Sequence, residues 1–585
     1  MENIASKARR PSGDECRRSA RDCKVPPESE KIRWSDLRWM KPYIREHWRL
    51  GAVGAAGIVL LALLALPAPY LMKVAIDRAI VGQNYVLLNR IILLLLGIQA
   101  LLVAISWVTN YSFNRFSLEI MTHIKKDLFH RILRYPMSFF AAHETGYIMS
   151  RVTEVEGLNI FFSSAVLNVI VSFARFAFCL IILVHLSPGL TGLSLLILPP
   201  FFAITHWFTR HLKRISWKYF ERSAQLSRGM QDSFSGIEVV KAYGAETREA
   251  SKLQVHLDDL KTMGLKRAVL MSFYSEILSF LGAMGGFIIL WSSGLRIISG
   301  TFTLGSYMAF SAYFAQLLGP TQMMANLGLI IQPAKVALQR TLELMRVVAE
   351  DEGAYVEDIQ SIRGPIEVRN VNFQYDEGKP VFSNINLRIN PGEKVLIAGP
   401  NGSGKSTLIK LIMGFYRPQG GEILVNGKPL YGISKTSLRE RIAVVSQNTF
   451  LFSDTIRNNV LFSAPGATDS ALDEAIHLSG ASEFVRDLPQ GLDTQIGERG
   501  IRLSGGERQK LSIARAILRK SDIIIFDEAT THLDEPSVAL LRELMQTQFI
   551  RKTCLIISHR RVEIPVIDHV YWIAKGNIEE IDSAK

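Results

Sequence analysis

Cysteine is scarce in this chain of 585 residues: there are four, Cys16, Cys23, Cys179 and Cys554, none of them in a C-x-x-C spacing. That excludes a disulfide framework and a thiolate-held structural zinc site. Charge is scarce as well, with 21% Asp, Glu, Lys and Arg against 48% apolar residues. This balance argues against a string of ordinary soluble domains of about 150 residues each. No internal repeat is visible. The first thirty or so residues have neither an apolar core nor a small-residue cleavage site, so they do not read as a secretory signal. Their polar composition predicts a disordered extension over 1–31. The charge that is present leans one way, 67 Lys and Arg against 54 Asp and Glu, or +13 net. Such an excess suits either a nucleic-acid partner or a chain facing anionic lipid head groups.

Long apolar stretches favour the membrane. Runs near 50–72, 86–110, 159–186, 190–208, 270–292 and 303–328 each approach or exceed the ~20 residues that cross a ~30 Å hydrocarbon core. The count is six spans, the fourth interrupted by Pro199 and Pro200. Ahead of them Ile32, Trp34, Leu37, Met40, Ile44 and Trp48 recur at near-helical spacing among Lys31, Arg33, Arg38, Lys41 and Arg45, which predicts a helix lying on the membrane surface.

Basic residues then set the orientation. The connection 111–158 carries Arg115, Lys125, Lys126, Arg131, Arg134 and Arg151, and 209–269 carries a dozen more, whereas the link 186–189 has none and the link after the fifth span has Arg296 alone. Positive charge collects on the cytoplasmic side, so both termini and the two long connections are expected in the cytoplasm. Those connections read as helical extensions of the spans. Topology thereby accounts for the basic excess, and no nucleic-acid partner is expected.

After Glu350 the composition changes. A charged linker over 350–363 leads into short β-branched runs alternating with helical stretches, with strands expected near 366–373, 394–398, 442–445, 522–526 and 553–557. This is the pattern of a soluble α/β domain, here 364–585, behind a transmembrane domain over 32–349.

Directly after the run Val395–Ala398 stand Gly399, Pro400, Asn401, Gly402, Ser403, Gly404, Lys405, Ser406 and Thr407, a complete G-x-x-x-x-G-K-[ST] phosphate loop between a strand and a helix. Its glycines let backbone amides close around a phosphate chain, Lys405 reaches the β- and γ-phosphates, and Ser406 is placed to bind Mg²⁺. A second run, Ile523–Phe526, ends in Asp527 and Glu528. Asp527 is the expected Mg²⁺ ligand, commonly through water, and Glu528 the candidate base for attack of water on the γ-phosphate. The alternative for this pair alone is two solvated acids at a strand end.

Between these motifs lies Leu503-Ser504-Gly505-Gly506-Glu507. On that string the domain is identified as a member of the ATP-binding cassette superfamily, and no N-K-x-D guanine motif competes. The resemblance implies ATP and Mg²⁺ as cofactors. It implies that Tyr375 stacks on adenine, that Gln447 senses Mg²⁺ and the transport domain, and that His559 holds the γ-phosphate and the attacking water. Ser504, Gly505 and Gly506 would contact ATP held by the opposite subunit, and Asp534 would serve communication between subunits. One departure is Thr531-His532-Leu533-Asp534 where relatives usually carry S-A-L-D; Asp534 is kept.

The membrane half resembles the exporter layout of this superfamily, six spans followed by one cassette, as in lipid flippases and multidrug or peptide exporters. Ser138 to Arg151 and Ser235 to Ala242 resemble the two cytoplasmic connections that dock on cassettes. The implied fold is an all-α six-helix transmembrane domain with long cytoplasmic helix extensions, followed by an α/β P-loop nucleotide-binding domain. One phosphate loop and one LSGGE per chain imply a dimer, with a second copy or a paralogous half-transporter. The implied activity is ATP hydrolysis coupled to export of a small molecule, lipid or peptide from the cytoplasm or inner leaflet, at the cell (inner) membrane. An ATP-gated channel on the same scaffold is the alternative. Within the third span Asn168, Ser172, Arg175 and Cys179 share a helical face, and the sixth span adds Tyr313, Gln316, Gln322 and Asn326. Polar groups at such depth are costly, so Asn168, Arg175 and Gln316 are candidates for a substrate cavity, against hydrogen bonds between helices. His185 and His206 read as packed or interfacial.

Overall fold

The apolar stretches fold as helices much longer than a bilayer requires. The computed structural model describes residues 38–351, 356–375, 378–528, 535–558 and 566–581. These fall into two compact units: residues up to His130 with Gly146–Arg346, and Arg131–Thr145 with the residues from Val347 onward.

The described residues of the first unit form helices and their short connections. Five helical stretches among the described residues are long and apolar enough to cross a membrane: Trp48–Ile80, Tyr85–Ile132, Thr145–Leu186, Pro188–Ser235 and Glu246–Ile298. The last has 53 residues, about 80 Å at 1.5 Å per residue, against a hydrocarbon core of roughly 30 Å. The sixth expected span falls within the helix Leu304–Arg346, where the side chains of 320–333, Gln322 and Asn326 among them, lie outside the described residues. The fourth span is interrupted, as expected, but just ahead of Pro199 and Pro200 rather than at them. They occupy the first turn of the helix Leu198–Ser235, where a missing N–H has no intrahelical partner to lose; the break is at Leu196–Ile197. Of the surface helix expected over 32–48, residues 32–37 lie outside the described residues. Of its described part, Lys41–Glu46 is helical and His47 interrupts the path into Trp48–Ala65.

Large apolar side chains point outward, among them Leu93, Phe280 and Trp291 at 69%, 68% and 70% exposure. In water such a surface would aggregate; in hydrocarbon it is the solvated face. The interior contact is a cluster of Cys179, Leu183, Ile289, Phe310, Tyr313 and Phe314, with the Tyr313 hydroxyl donating to the Leu66 carbonyl at 2.6 Å. Two further ties hold helix ends. Asp77 accepts from Thr303 Oγ1 at 2.6 Å and from the Gly305 amide at 2.9 Å, capping the helix that starts at Leu304. Arg296 donates to Ser187 Oγ at 2.8 Å, which joins the two links poorest in basic residues and puts them at one end of the helices.

Among its described residues the second unit has ten strands: β1 Ile366–Phe373, β2 Phe382–Ile389, β3 Lys394–Ala398, β4 Gly420–Val425, β5 Lys428–Pro429, β6 Ile442–Val445, β7 Ile523–Asp527, β8 Thr553–Ser558, β9 His569–Ala574 and β10 Asn577–Ile581. An antiparallel sheet runs β2-β1-β4-β5 and a mostly parallel one runs β10-β9-β3-β8-β7-β6. Strands β3 and β8 are buried at every position, as continuous apolar runs flanked on both sides must be. The loop Arg131–Thr145, with its short helix Met137–Ala142, belongs to this unit: the Glu350 amide donates to the Arg134 carbonyl at 2.7 Å.

Candidate nucleotide site

The carboxyl ends of neighbouring parallel strands make a crevice where α/β folds bind ligands. Here β3, β8 and β7 are neighbours. Ala398 pairs with Ser558 and Asp527 with Ile557, so the phosphate loop after β3 and the acids at the end of β7 flank the end of β8.

Loop conformation follows from its glycines. Gly399 has φ +154, and a Cβ there would collide with the Ile573 carbonyl. Gly404 has φ +107, and a Cβ would stand 2.9 Å from Phe382 and Val381. The helix Lys405–Ile412 starts at Gly404 with no side-chain cap, which leaves its first amides directed toward the loop, an anion site in waiting. Lys405 is only 5% exposed. Its Nζ donates to the carbonyls of Gly399 and Pro400 at 2.9 and 3.0 Å, so the ammonium group is folded back across the mouth of the loop. The Thr407 hydroxyl lies 2.9 Å from the Tyr375 hydroxyl. The Tyr375 ring, 45% exposed, stands edge-on to Tyr416 at 5.2 Å and has Lys410 Nζ 5.9 Å from its centre.

Ser406 Oγ stands 3.4 Å from Asp527 Oδ1. Burial, with the Glu528 charge beside it, raises the Asp527 carboxyl above its ordinary value, while Ser406, Lys410 and Lys405 pull it down. A hydroxyl and a carboxylate converging in this way form an oxygen donor set that suits Mg²⁺. Glu528 has φ +50, a left-handed conformation that is uncommon for a residue with a side chain, and its amide donates to the Ile557 carbonyl at 3.1 Å. Gln447 is exposed two residues beyond β6, the strand next to β7. Asn401 and Gly402 are exposed in the loop, and Ser403 Oγ is buried without a hydrogen-bond partner.

Ser504, Gly505 and Gly506 sit elsewhere in the unit, on a subdomain with its own core of Leu451, Ile456, Val460, Leu503 and Leu511. Ser504 caps the helix Gly505–Leu518 in a reciprocal box: its amide donates to Glu507 Oε2 at 2.7 Å, and its Oγ accepts from the Glu507 amide at 3.3 Å. A Cβ on Gly505 or Gly506 would meet open space. Deeper in that helix Arg515 donates to the carbonyls of Asn459 and Phe450 at 2.6 and 2.8 Å and to Asn459 Oδ1 at 2.9 Å. Burial lowers this guanidinium to about 10. The pattern in the sequence singles out neither Arg515 nor Asn459; the S-x-x-E spacing of Ser504 and Glu507 was the available sign of the capping box. Asp534 and His559, with Thr531 and His532, lie outside the described residues.

In the membrane unit Asn168 and Arg175 are half-buried on the helix Ser164–Leu186. Arg175 Nε and Gln316 Oε1 are buried without a hydrogen-bond partner, on two helices that share the Cys179–Tyr313 cluster.

These parts define a P-loop ATPase unit carried by a bundle of membrane helices. Residues 52–321 match the ABC transporter transmembrane region, and 382–531 match the ABC transporter cassette. The ATP-dependent lipid A-core flippase of Syntrophus aciditrophicus (strain SB) is 30% identical over 567 residues, covering 96% of this chain and 93% of that one. The flippase of the same name from Hahella chejuensis (strain KCTC 2396) is 31% identical over 553 residues, covering 92% and 93%. A solved structure of a bacterial Atm1-family ABC exporter with ATP bound superimposes with a TM-score of 0.77 at 25% identity, covering 92% and 95%. The chain belongs to the ABC transporter family, in the exporter layout of one membrane domain and one cassette. It is an integral membrane protein that binds ATP and couples its hydrolysis to transport.

Proposed function

We propose that two copies of this chain assemble into an exporter that moves an amphipathic or lipophilic substrate out of the cytoplasm or the inner leaflet. The observation that carries the reading is the convergence of Lys405, Ser406, Asp527 and Glu528 at adjoining strand ends, with Ser504 on a separate core. Each chain offers a phosphate cradle and, apart from it, a capped helix start with open glycines. Two chains facing head to tail bring each cradle to the partner's helix start, which explains why both motifs occur once. The domains in this reading are 1–31 as an extension, 32–349 as the transmembrane domain, 350–363 as linker and 364–585 as the cassette, with both termini and the cassette in the cytoplasm.

The residues divide the work. Asn401 to Thr407 cradle the phosphates through amides, and Lys405 releases the Gly399 and Pro400 carbonyls to meet the β- and γ-phosphates. Tyr375 offers its exposed ring to adenine. Ser406, Asp527 and Gln447 are suited to hold Mg²⁺, which when bound would neutralise phosphate charge. Glu528 takes the proton of the attacking water, while His559 steadies the γ-phosphate. Ser504, Gly505 and Gly506 meet the γ-phosphate bound by the partner, and Asp534 relays between the two sites. Closure of the cassettes around ATP favours one arrangement of the spans, and hydrolysis releases it. In the membrane, Arg175 and Gln316, buried with unsatisfied polar atoms, and Asn168 line the substrate path. An anionic head group fits the Arg175 charge, and the two lipid A-core flippases among the relatives favour a lipid as the substrate.

The test is ATPase activity of the purified chain in lipid nanodiscs, across a panel of anionic lipids, lipophilic cations and short peptides. Stimulation by one class, lost in Glu528→Gln, supports the reading and names the substrate. Concentrative uptake into inside-out vesicles separates a pump from an ATP-gated channel, which cannot accumulate solute.

A further inference from the structure

Where the surface helix Lys41–Glu46 meets the first span, three side chains that have no part in the nucleotide chemistry converge. His47 interrupts the helical path, with φ −110 and ψ 16, and its Nε2 lies 3.4 Å from His123 Nδ1 on the helix Tyr85–Ile132. The same His123 nitrogen lies 3.3 Å from Glu46 Oε2. All three ligand atoms are within 4.8 Å of one another. His47 and His123 are half-buried and Glu46 is exposed, so an ion can enter from water.

Hydrogen bonding accounts poorly for this arrangement. The separation of 3.4 Å between the ring nitrogens is beyond the roughly 2.7–3.2 Å usual for an N–H donor. His123 Nδ1 also faces a carboxylate oxygen and a second ring nitrogen at once, and whichever tautomer it adopts it can serve only one of them. A metal ion between the three atoms resolves both points. Ligands at ~2.0–2.1 Å in tetrahedral geometry stand about 3.3–3.4 Å apart, matching the two separations here. Two imidazoles and a carboxylate form a borderline donor set suited to Zn²⁺ and neighbouring divalent transition metals rather than to Mg²⁺ or Ca²⁺.

We propose that Glu46, His47 and His123 form a binding site for one divalent transition-metal ion of the Zn²⁺ class per chain, with the fourth position open to water. The ion clips the surface helix onto the long helix Tyr85–Ile132. A side-chain hydrogen bond already ties the two segments in register: one turn away the Tyr43 hydroxyl donates to Asp127 at 2.8 Å, so Tyr43 and His47 on one side face Asp127 and His123 on the other. A site between these two segments ties the start of the first span to the extension of the second, which is a different place from the nucleotide crevice and a different ion from Mg²⁺.

The experiment is calorimetric titration of ZnCl₂ into the full-length chain in nanodiscs, with any purification tag removed and without nucleotide. Expected are one ion per chain and weakening by roughly 100-fold in His123→Ala and in His47→Ala. His130→Ala, on the same helix seven residues further on, retains wild-type affinity. Because protons compete with the ion for imidazole and carboxylate, affinity falls on acidification. Co²⁺ in place of Zn²⁺ gives the intense visible absorption of a four-coordinate site in the wild type and loses it in Glu46→Gln. Wild-type affinity in both histidine variants, or no saturable binding by the wild type, overturns the proposal. Unchanged ATPase activity of the histidine variants without added metal shows that they are folded, which leaves loss of binding to be read as loss of ligands.

Discussion

Ser406 Oγ and Asp527 Oδ1 face each other at 3.4 Å across 121 positions of sequence. The cassette core brings them together by setting β3 and β7 on either side of β8. Asp527 is held there at a cost, because burial and the Glu528 charge disfavour its ionised form. A carboxyl whose folded value is raised weakens the fold at pH above that value, and the penalty fades as pH falls toward the unfolded value. Asp527→Asn is therefore expected to raise the unfolding temperature of the nucleotide-free protein at pH 7.5, with the gain shrinking as the buffer is taken down toward the ordinary aspartate range. The same variant loses Mg²⁺-dependent hydrolysis. Scanning calorimetry across pH together with an ATPase assay checks both; a lowered unfolding temperature at pH 7.5 contradicts the electrostatic reading.

Two glycines should behave in opposite ways. Gly399→Ala drives a methyl into the Ile573 carbonyl and should destabilise the cassette by roughly 3 kcal/mol. Gly505→Ala adds a methyl in open space; its unfolding should match the wild type while its ATPase activity falls, since the obstructed partner is a second chain. Denaturant unfolding and turnover, measured on both, separate the two cases.

Arg515 fastens the helix Gly505–Leu518 to the segment around Phe450 and Asn459. Arg515→Ala takes the donor from the Asn459 and Phe450 carbonyls, while Asn459 Oδ1 keeps the Phe452 amide at 2.8 Å; a buried carbonyl left unpaired costs about 1–3 kcal/mol. Stability should fall by that order, and hydrolysis with it, while ATP binding to the phosphate loop persists. Nucleotide binding followed by fluorescence alongside turnover measures the split.

Arg175 should matter to the substrate rather than to the ATPase core. Arg175→Ala is expected to leave basal hydrolysis near wild type and to raise the concentration of anionic lipid needed for half-maximal stimulation by roughly 10-fold, the scale of losing one ionic contact of about 1.4 kcal/mol. Stimulation curves in nanodiscs of graded anionic content give the answer.

Much of this was legible in the sequence where one physical requirement acts alone. Strands β3 and β8 read as apolar runs because both faces and both edges are covered. The phosphate loop reads plainly because close backbone approach demands glycine at Gly399 and Gly404. Strand β4 opens with Gly420 and Gly421 and so reads as a turn, and in β10 only Ile578 and Ile581 are apolar, both partly exposed at the sheet's edge. The end of β7 shifts by one residue: Asp522 stands outside the strand, accepting from the Ile362 amide at 2.7 Å, and Asp527 closes it. Pro199 and Pro200 signalled the interruption of the fourth span, but a proline pair alone does not tell that the helix resumes at once with both prolines in its first turn. The pairing of Glu46, His47 and His123 had no sequence signal, since the third member comes from a helix 76 positions away. Contacts of that kind depend on tertiary register, which local pattern does not carry.

The central claim is that each hydrolytic site draws its phosphate loop from one chain and its Ser504–Gly506 helix start from another. The direct measurement is turnover of mixed dimers, purified through two different tags, in which one chain carries Lys405→Ala and the other Ser504→Arg. Each variant alone should be inactive. In the mixed dimer one site combines an intact loop with an intact helix start, and turnover should return well above either parent. No recovery in verified mixed dimers, or full activity of Ser504→Arg alone, contradicts the account.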